Sequence, residues 1–166
     1  LCRESENALL NAGVHKDIID SGKTMLFEPG ISVRLDAEIA RKTVRVNSMH
    51  DPTEGGLATG LQEMVSASGF GITVKSSEIN IFKESKIVCD ALGLNPLGLI
   101  SSGALLIAVT PEEAQKLITA FKKNDIMAKI IGTATKAHKE VRIINNNVVS
   151  KIEVFERDEL ARYYDE

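Results

Sequence analysis

The segment His50–Gly56, with the sequence HDPTEGG, holds the residues of this chain best suited to bind a ligand. Gly55 and Gly56 have no side chains, so an anion can approach their backbone N–H groups closely. These groups open a predicted helix, whose dipole favours negative charge by about 0.3–1 kcal/mol. The Thr53 hydroxyl is suited to cap that helix, and the Asp51 carboxylate to hold a metal ion or a sugar hydroxyl. The segment therefore predicts a cradle for a phosphate or a nucleotide.

A purely structural interpretation of the same segment stays open. Two adjacent glycines also occur in tight strand-to-helix turns, where they only permit close packing. From residue chemistry alone this alternative is slightly favoured. His50, next to Asp51, is a further candidate for chemistry, although a turn histidine more often bonds only to the backbone.

A second candidate lies where the loop Leu99–Gly103 (LISSG) enters an apolar run. Ser101 and Ser102 supply hydroxyls, and Gly103 permits a bulge or the close approach of a ligand. The alternative is a strand entry with polar capping, and the loop taken alone favours that alternative.

The sequence predicts no zinc site and no catalytic nucleophile. The three histidines are too far apart in the chain for the short pairings that metal ligands show. Cys89 lies among Ile87 and Val88 on the apolar face of a predicted helix, which argues against a Cys–His pair. Gly22-Lys23-Thr24 resembles the end of a P-loop but lacks the earlier glycine and the preceding strand.

Composition restricts the classes of function. Of 166 residues, 43% are hydrophobic and 26% are charged, as in ordinary folded proteins. Twenty basic and 23 acidic residues give a net charge of −3, so we expect no nucleic-acid partner. No apolar run approaches the roughly 20 residues that cross a bilayer, and no leader pattern is present. Cys2 and Cys89 show no disulfide spacing. We therefore expect a cytoplasmic protein without membrane contact.

Interleaved helices and strands must position the two loops, which predicts an α/β or α+β fold with a mixed sheet. Apolar residues recur with helical spacing from Leu57 to Val65, and Gly69 ends that helix. The run Ala104–Val109 is apolar at every position, as in a central strand covered on both faces. The remaining predictions are helices over 4–20 with a break at Gly13, from a cap at Ser32, over 83–92 and from Pro111, and strands at Val44–Met49, Gly71–Lys75, Glu78–Ile81, Met127–Ala134, Val141–Ile144 and Val148–Val154.

Two longer motifs are specific enough to indicate a family. The first is MHDPTEGGLATGL at 49–61, followed by Glu63 and by SGFGI at 68–72. The second is LGLNPL at 92–97, followed by SSGALLIAV at 101–109. In this order and spacing they resemble the C-terminal domain of the aminoimidazole ribonucleotide (AIR) synthase-related, PurM-like superfamily. Within it they are most similar to the hydrogenase expression/formation (HypE) branch. The resemblance covers roughly residues 30–135.

The resemblance implies a layered α/β/α fold with a mixed sheet and a partial likeness to ferredoxin-like folds. It implies an ATP-dependent enzyme that works as a homodimer and activates an oxygen or selenium nucleophile. ATP and Mg²⁺ would be held largely by aspartates of an N-terminal ATP-binding domain, the implied partner, so this chain needs no cofactor of its own. Its part would be to close the cleft, with phosphate or nucleotide contacts at Asp51, Thr53, Gly55, Gly56, Ser102 and Gly103.

Three departures from the family pattern shape the expectations. The N-terminal domain is missing and the chain opens with Leu1, so we expect a piece of a longer protein that does not hydrolyse ATP alone. The chain ends without the reactive terminal cysteine of the HypE branch. His50 and Glu54 stand where that branch usually has arginine, and we treat both as candidate substrate contacts. The alternative function is a non-catalytic phosphometabolite-binding or regulatory module.

The chain divides into three predicted parts. Residues 1–30 are interpreted as a linker or appendage from a preceding domain. Residues 31–156 form the AIR synthase-like C-terminal domain. Residues 157–166 are a polar terminal helix or tail without a nucleophile.

Overall fold

The computed structural model describes residues 1–165, which fold into helices and strands that alternate along the chain. The helices are α1 (Glu6–Asn11), α2 (Lys16–Thr24), α3 (Arg34–Thr43), α4 (Gly56–Ser68), α5 (Lys83–Leu92), α6 (Pro111–Lys122) and α7 (Glu159–Asp165). The strands are β1 (Ser48–His50), β2 (Gly71–Lys75), β3 (Leu106–Ala108), β4 (Gly132–Thr135), β5 (Val141–Asn145) and β6 (Val148–Lys151). A π-helical turn with non-helical backbone at Glu28 covers Leu26–Gly30, and a 3₁₀ turn covers Ser76–Glu78. None of the described helices is both long and apolar enough to cross a membrane.

Four strands form a mixed sheet in the order β4-β2-β5-β6. Strand β2 is parallel to β5 and antiparallel to β4, so that Val74 lies opposite both Ile143 and Gly132. The β5–β6 hairpin turns through Asn146 and Asn147, whose φ values of 48° and 65° are left-handed. Asparagine tolerates such values, as predicted. The mixed sheet confirms the predicted α/β class.

Helix α4 packs its predicted apolar side against this sheet. Its buried residues Ala58, Leu61 and Val65 join Val74 and Val141 in one hydrophobic cluster. Gly69 ends the helix with a φ of 70°, and its N–H donates to the Val65 carbonyl. The start and the end of α4, and hence the position of the loop before it, follow from the local sequence.

The N-terminal helices form a separate cluster with α5. Leu9, Val14 and Ile19 are buried together with Val88, and α1 and α2 are separated at Gly13, which has a φ of 83°. Residues 1–30 therefore pack on the described domain, while their interpretation as a linker from a preceding domain stays a prediction.

The apolar run Ala104–Val109 forms a shorter and less central strand than predicted. Only β3 is regular, and within the described residues it pairs with β1 alone, in an antiparallel two-stranded sheet. Leu106 packs against the α4 cluster, whereas Ile107 packs against a third cluster that α3 and α6 form around Leu117 and Phe121. Successive residues of the run are apolar because β3 lies between two hydrophobic clusters, one that packs on Leu106 and one that packs on Ile107 and Val109.

Several other boundaries differ from the sequence prediction. The segment 78–81 contains no strand and begins in a 3₁₀ turn, and α3 begins after Val33 rather than after a Ser32 cap. Three strands are shorter than predicted: β1, β4 and β6. Hydrophobic patterns extend beyond the residues that find a hydrogen-bonding partner strand, so they overestimate strand length.

Candidate functional site

The loop 50–56 connects β1 to α4 and turns sharply at its two glycines. Gly55 and Gly56 have φ values of 70° and 60°, in the left-handed region that favours glycine. A Cβ atom at Gly56 would lie 2.7 Å from the carbonyl oxygen of Leu97 and would also collide with that of Leu99. A Cβ atom at Gly55 would collide with the Thr59 side chain. Close packing therefore requires both glycines, as the structural interpretation of this loop expected.

The structure brings the two predicted loops together. The Ser101 hydroxyl donates to the carbonyl oxygen of Pro52 at 3.0 Å. The backbone N–H of Ser101 donates to the carbonyl oxygen of Thr53 at 3.3 Å. The N–H of Ala58, in the first turn of α4, donates to the Leu97 carbonyl at 2.9 Å. Segments 50–58 and 97–101 thus form one junction at the N-terminus of α4.

Ser102 and Gly103 lie at the edge of this junction. Both are exposed, and Gly103 has a φ of 99°. A Cβ atom there would lie 2.9 Å from the Gly30 carbonyl oxygen and 3.2 Å from the Ile31 Cα. The close approach at Gly103 is therefore made by the turn that precedes α3.

The backbone donors of the predicted phosphate cradle already have partners. The N–H of Gly55 donates to the Asp158 carboxylate at 2.7 Å, and that of Gly56 donates to the Thr53 carbonyl at 3.1 Å. The other Asp158 oxygen accepts from the Leu160 N–H at 2.7 Å, at the start of α7. Sequence reasoning missed Asp158. The only sequence signal is an aspartate directly before a helix, which indicates a cap but not a contact 103 residues away.

The polar side chains of the loop face solvent. The Asp51 side chain is 68% exposed, and Thr53 and Glu54 are also exposed. His50 is the exception, because its Nε2 lies 2.5 Å from Glu63 on α4 while its Nδ1 is 4.0 Å from Asp51. The acidic side chains of the loop thus point to solvent, whereas its backbone N–H groups donate hydrogen bonds within the fold.

The motif at 92–97 forms a second polar centre, around Asn95. The N–H of Asn95 donates to the Glu159 carboxylate at 2.7 Å, and its side-chain amide donates to Glu153 at 2.8 Å. Its side-chain oxygen accepts from the Leu97 N–H at 3.0 Å. These three bonds fix the turn 95–98 and, through Leu97, the packing of Gly56.

Glu159 is the buried anion of this centre. The Arg162 guanidinium donates to its two oxygens at 2.8 and 2.9 Å. This pairing lowers the pKa of Glu159 below the usual range, against the opposing effect of burial, and the Asn95 N–H adds to the lowering. A shallow cleft of about 560 Å³ opens beside it. The cleft is lined by Gly93, Leu94, Asn95, Pro96, Glu153, Phe155, Glu159 and Arg162.

The cysteines lie away from this junction. Cys89 is buried on α5, and burial raises the pKa of its thiol to about 11, so it is protonated at neutral pH. Burial also raises the pKa of Cys2. Among residues 1–165, no group of three or more histidine, cysteine, aspartate or glutamate side chains is placed to hold a metal ion.

Comparison with protein families gives one match, which spans most of the chain. Residues 24–145 match the family described as "AIR synthase related protein, C-terminal domain". This range includes both loops of the junction and the Asn95 turn, but neither Asp158 nor Glu159.

Comparison with curated proteins gives hydrogenase maturation proteins. A hydrogenase expression/formation protein of Methanocaldococcus jannaschii is 38% identical over 112 residues, which cover 66% of this chain and 33% of that protein. The carbamoyl dehydratase HypE of Rhizobium leguminosarum bv. viciae is 32% identical over 91 residues, covering 55% of this chain and 26% of that protein. The matched segment spans a third or less of these relatives.

Solved structures of HypE share the fold. The crystal structure of Escherichia coli HypE matches with a TM-score of 0.70 and 25% identity, over 79% of this chain and 41% of that chain. A HypE–HypF complex matches with a TM-score of 0.60 and 26% identity, over 65% of this chain and 36% of the matched chain. A HypE structure in complex with ATP matches with a TM-score of 0.62 and 20% identity, over 86% of this chain and 40% of the matched chain. At this low identity the match shows the fold alone.

Proposed function

This chain belongs to the AIR synthase related protein family, of which it carries the C-terminal domain, and we propose that it closes one side of a nucleotide or phosphate cleft in an ATP-dependent enzyme of the HypE type. The observation that carries the proposal is the junction at the N-terminus of α4. There the two family motifs meet through the bonds of Ser101 to Pro52 and Thr53.

The proposed role of the junction is to present backbone donors to an oxyanion. The Gly55 N–H already binds a carboxylate oxygen at 2.7 Å, a distance typical of a charge-assisted hydrogen bond. A phosphate oxygen makes the same kind of bond at such a position. In this proposal Asp51, Thr53, Ser102 and Gly103 line the approach to Gly55 and Gly56, and His50 and Glu54 contact the substrate.

ATP is proposed as the nucleotide because a HypE with the same fold has been solved with ATP. The described residues of this domain do not form a site that would hold Mg²⁺ without a nucleotide. Among the described side chains no group of three or more metal-ligating residues is placed to hold a metal ion, and the Asp51 side chain is 68% exposed. Any Mg²⁺ would be held mainly by the nucleotide phosphates and by groups outside this chain.

The proposed partners follow from the relatives. The matched segment covers 33% of the Methanocaldococcus jannaschii protein, so an N-terminal ATP-binding domain is proposed to complete the cleft. A homodimer of the complete enzyme is part of the same proposal. A HypF-type protein is a further proposed partner, since a HypE with this fold has been solved in complex with HypF.

A second candidate function is a phosphometabolite-binding or regulatory module without turnover. It is favoured by the side chains of the loop, of which Asp51, Thr53 and Glu54 are exposed to solvent. The coding sequence upstream of Leu1 separates the two candidates. An acidic, metal-binding domain encoded there supports the enzyme, whereas a stop codon supports the module.

Binding by the loop is tested with the purified chain. Inorganic phosphate or ATP is titrated while backbone amide shifts are followed, and we expect Gly55, Gly56 and Leu57 to move with a dissociation constant no better than about 1 mM. Removing the nearby negative charge with Glu54→Gln should tighten binding severalfold.

Asp125→Asn is the matched control for Glu54→Gln. It makes the same charge change beyond α6, at a φ of 57° that asparagine tolerates. It should leave phosphate binding unchanged. Shifts confined to other residues would place the anion site elsewhere and reject this role for the loop.

A further inference from the structure

The segment Arg157–Asp165, here called the C-terminal strap, ties together three separate parts of the chain. Asp158 binds the loop 50–56, and Glu159 binds the turn 95–98. The Glu159 N–H donates to the Gly98 carbonyl at 3.1 Å. Near its end, the Tyr164 hydroxyl lies 3.1 Å from the Ser5 hydroxyl, just before α1. The strap is therefore in contact with both motif loops and with the N-terminal helices.

The two neighbouring carboxylates of the strap are held in different ways. Glu159 is buried, is paired with Arg162 and accepts from the Asn95 N–H. Asp158 is only half-buried, and its carboxylate accepts from the N–H groups of Gly55 and Leu160. Glu159 thus anchors the strap, whereas Asp158 is partly exposed to solvent.

A carboxylate oxygen at Gly55 has the charge and the acceptor geometry of a phosphate oxygen. We propose that Asp158 is an internal anion that occupies the Gly55 N–H in place of the ligand, so that the strap and a bound phosphate exclude each other. The inference rests on the proposed phosphate-binding role of the loop. It makes the strap an autoinhibitory contact of that site.

The geometry allows Asp158 to leave without unfolding the strap. Glu159, Arg162 and the Gly93 carbonyl, which accepts from Arg162 at 2.9 Å, continue to hold α7. When the Asp158 side chain leaves, its hydrogen bonds from the N–H groups of Gly55 and Leu160 are broken. A phosphate oxygen then accepts from the Gly55 N–H in its place. Ligand binding at the loop therefore changes the hydrogen bonding at the start of α7.

The test is a titration of the full chain and its Asp158→Asn variant with inorganic phosphate, followed by backbone amide shifts. Asparagine keeps the shape of the side chain but removes its charge. The charge-assisted bond is then weakened, so phosphate should bind roughly tenfold more tightly to the variant. In the unchanged chain, Leu160 should shift with the same midpoint as Gly55, because its bond to Asp158 is disturbed as the ligand enters.

Asp165→Asn is the matched control, because it makes the same charge change in the same segment, at a side chain paired with Arg157. Phosphate affinity should be unchanged in this variant. Asp158→Ser is a second variant that preserves a helix cap for α7 but is too short to reach Gly55, so it keeps the test usable if the asparagine variant does not fold.

The outcomes separate this inference from the proposed function. If phosphate shifts the Gly55 amide with the same midpoint in the unchanged chain and in both Asp158 variants, the loop binds phosphate but the strap does not compete. The inference is then wrong. If phosphate leaves the amides of 55–57 unmoved in every variant, the proposed function of the loop fails and the inference fails with it. If phosphate binds more tightly only to the Asp158 variants, and the Leu160 amide shifts with the same midpoint as Gly55 in the unchanged chain, the proposed function and the inference are both supported.

Discussion

The loop 50–56 and the turn 95–98 each bind a carboxylate from the C-terminal strap, but the two regions use it differently. The turn binds Glu159, a buried anion with a guanidinium partner, through the backbone of Asn95, whose side chain is also bonded. The loop binds the half-buried Asp158 through a glycine N–H, with exposed side chains around it. The buried, paired Glu159 holds the turn in place, whereas the half-buried Asp158 is the anion that we propose a ligand displaces.

The largest effect is expected at Gly56, where the two regions touch. Gly56→Ala would drive a Cβ into the carbonyl oxygens of Leu97 and Leu99 at a φ of 60°. We expect a loss of about 3 kcal/mol or more in the free energy of unfolding, measured by urea denaturation. Gly93→Ala is the matched control, since Gly93 has a φ of 65° and a Cβ placed there would meet no atom within 4 Å.

The control should lose only about 1 kcal/mol, the cost of a left-handed alanine. Equal losses in the two variants would mean that the loop and the turn do not pack closely at Gly56.

The second effect concerns the buried anion of the turn. Glu159→Gln removes the charge that Arg162 and the Asn95 N–H bind, which should cost about 2 kcal/mol of unfolding free energy. Glu153→Gln, at an exposed partner of the same Asn95, should cost less than about 0.5 kcal/mol. A Glu159 variant as stable as the Glu153 variant would remove the distinction between the two carboxylates.

The third effect is a pH dependence. The pKa of Glu159 is lowered in the folded chain from its usual value of 4.5, mainly by the Arg162 hydrogen bond. The stability that it contributes is therefore present above pH 4.5 and is lost as the pH falls through the lower, folded value. Unfolding free energies measured from pH 7 downwards should fall less steeply below pH 4.5 in Glu159→Gln than in the unchanged chain. Parallel curves would contradict the assignment.

The smallest effect is expected at the exposed side chains of the loop. Thr53→Ala keeps the backbone carbonyl that accepts from Gly56 and Ser101, and removes only an exposed hydroxyl. The free energy of unfolding should change by less than about 0.5 kcal/mol. A larger loss would show that the Thr53 side chain, and not only its backbone, holds the loop.

Local patterns predicted most of the helices and the glycine-rich loop. The spacing of Leu57, Leu61 and Val65 and the terminal Gly69 placed α4, because helix periodicity and left-handed caps depend on neighbouring residues. Strand ends were predicted less well. The run at 127–134 forms a strand only from Gly132, since a strand ends where its partner ends and the partner, β2, is distant in sequence.

The sequence by itself determined the family, the start of α4 and the presence of a loop able to bring backbone donors close to an anion. These features depend on residue type and short spacing. Only the tertiary structure decided what those donors bind. Asp158 lies 103 residues from Gly55, and Glu159 lies 64 residues from Asn95, and chain folding alone brings each pair to 2.7 Å. Hydrogen bonds over such separations leave no periodic trace in a single sequence, because either partner alone looks like an ordinary turn or cap residue.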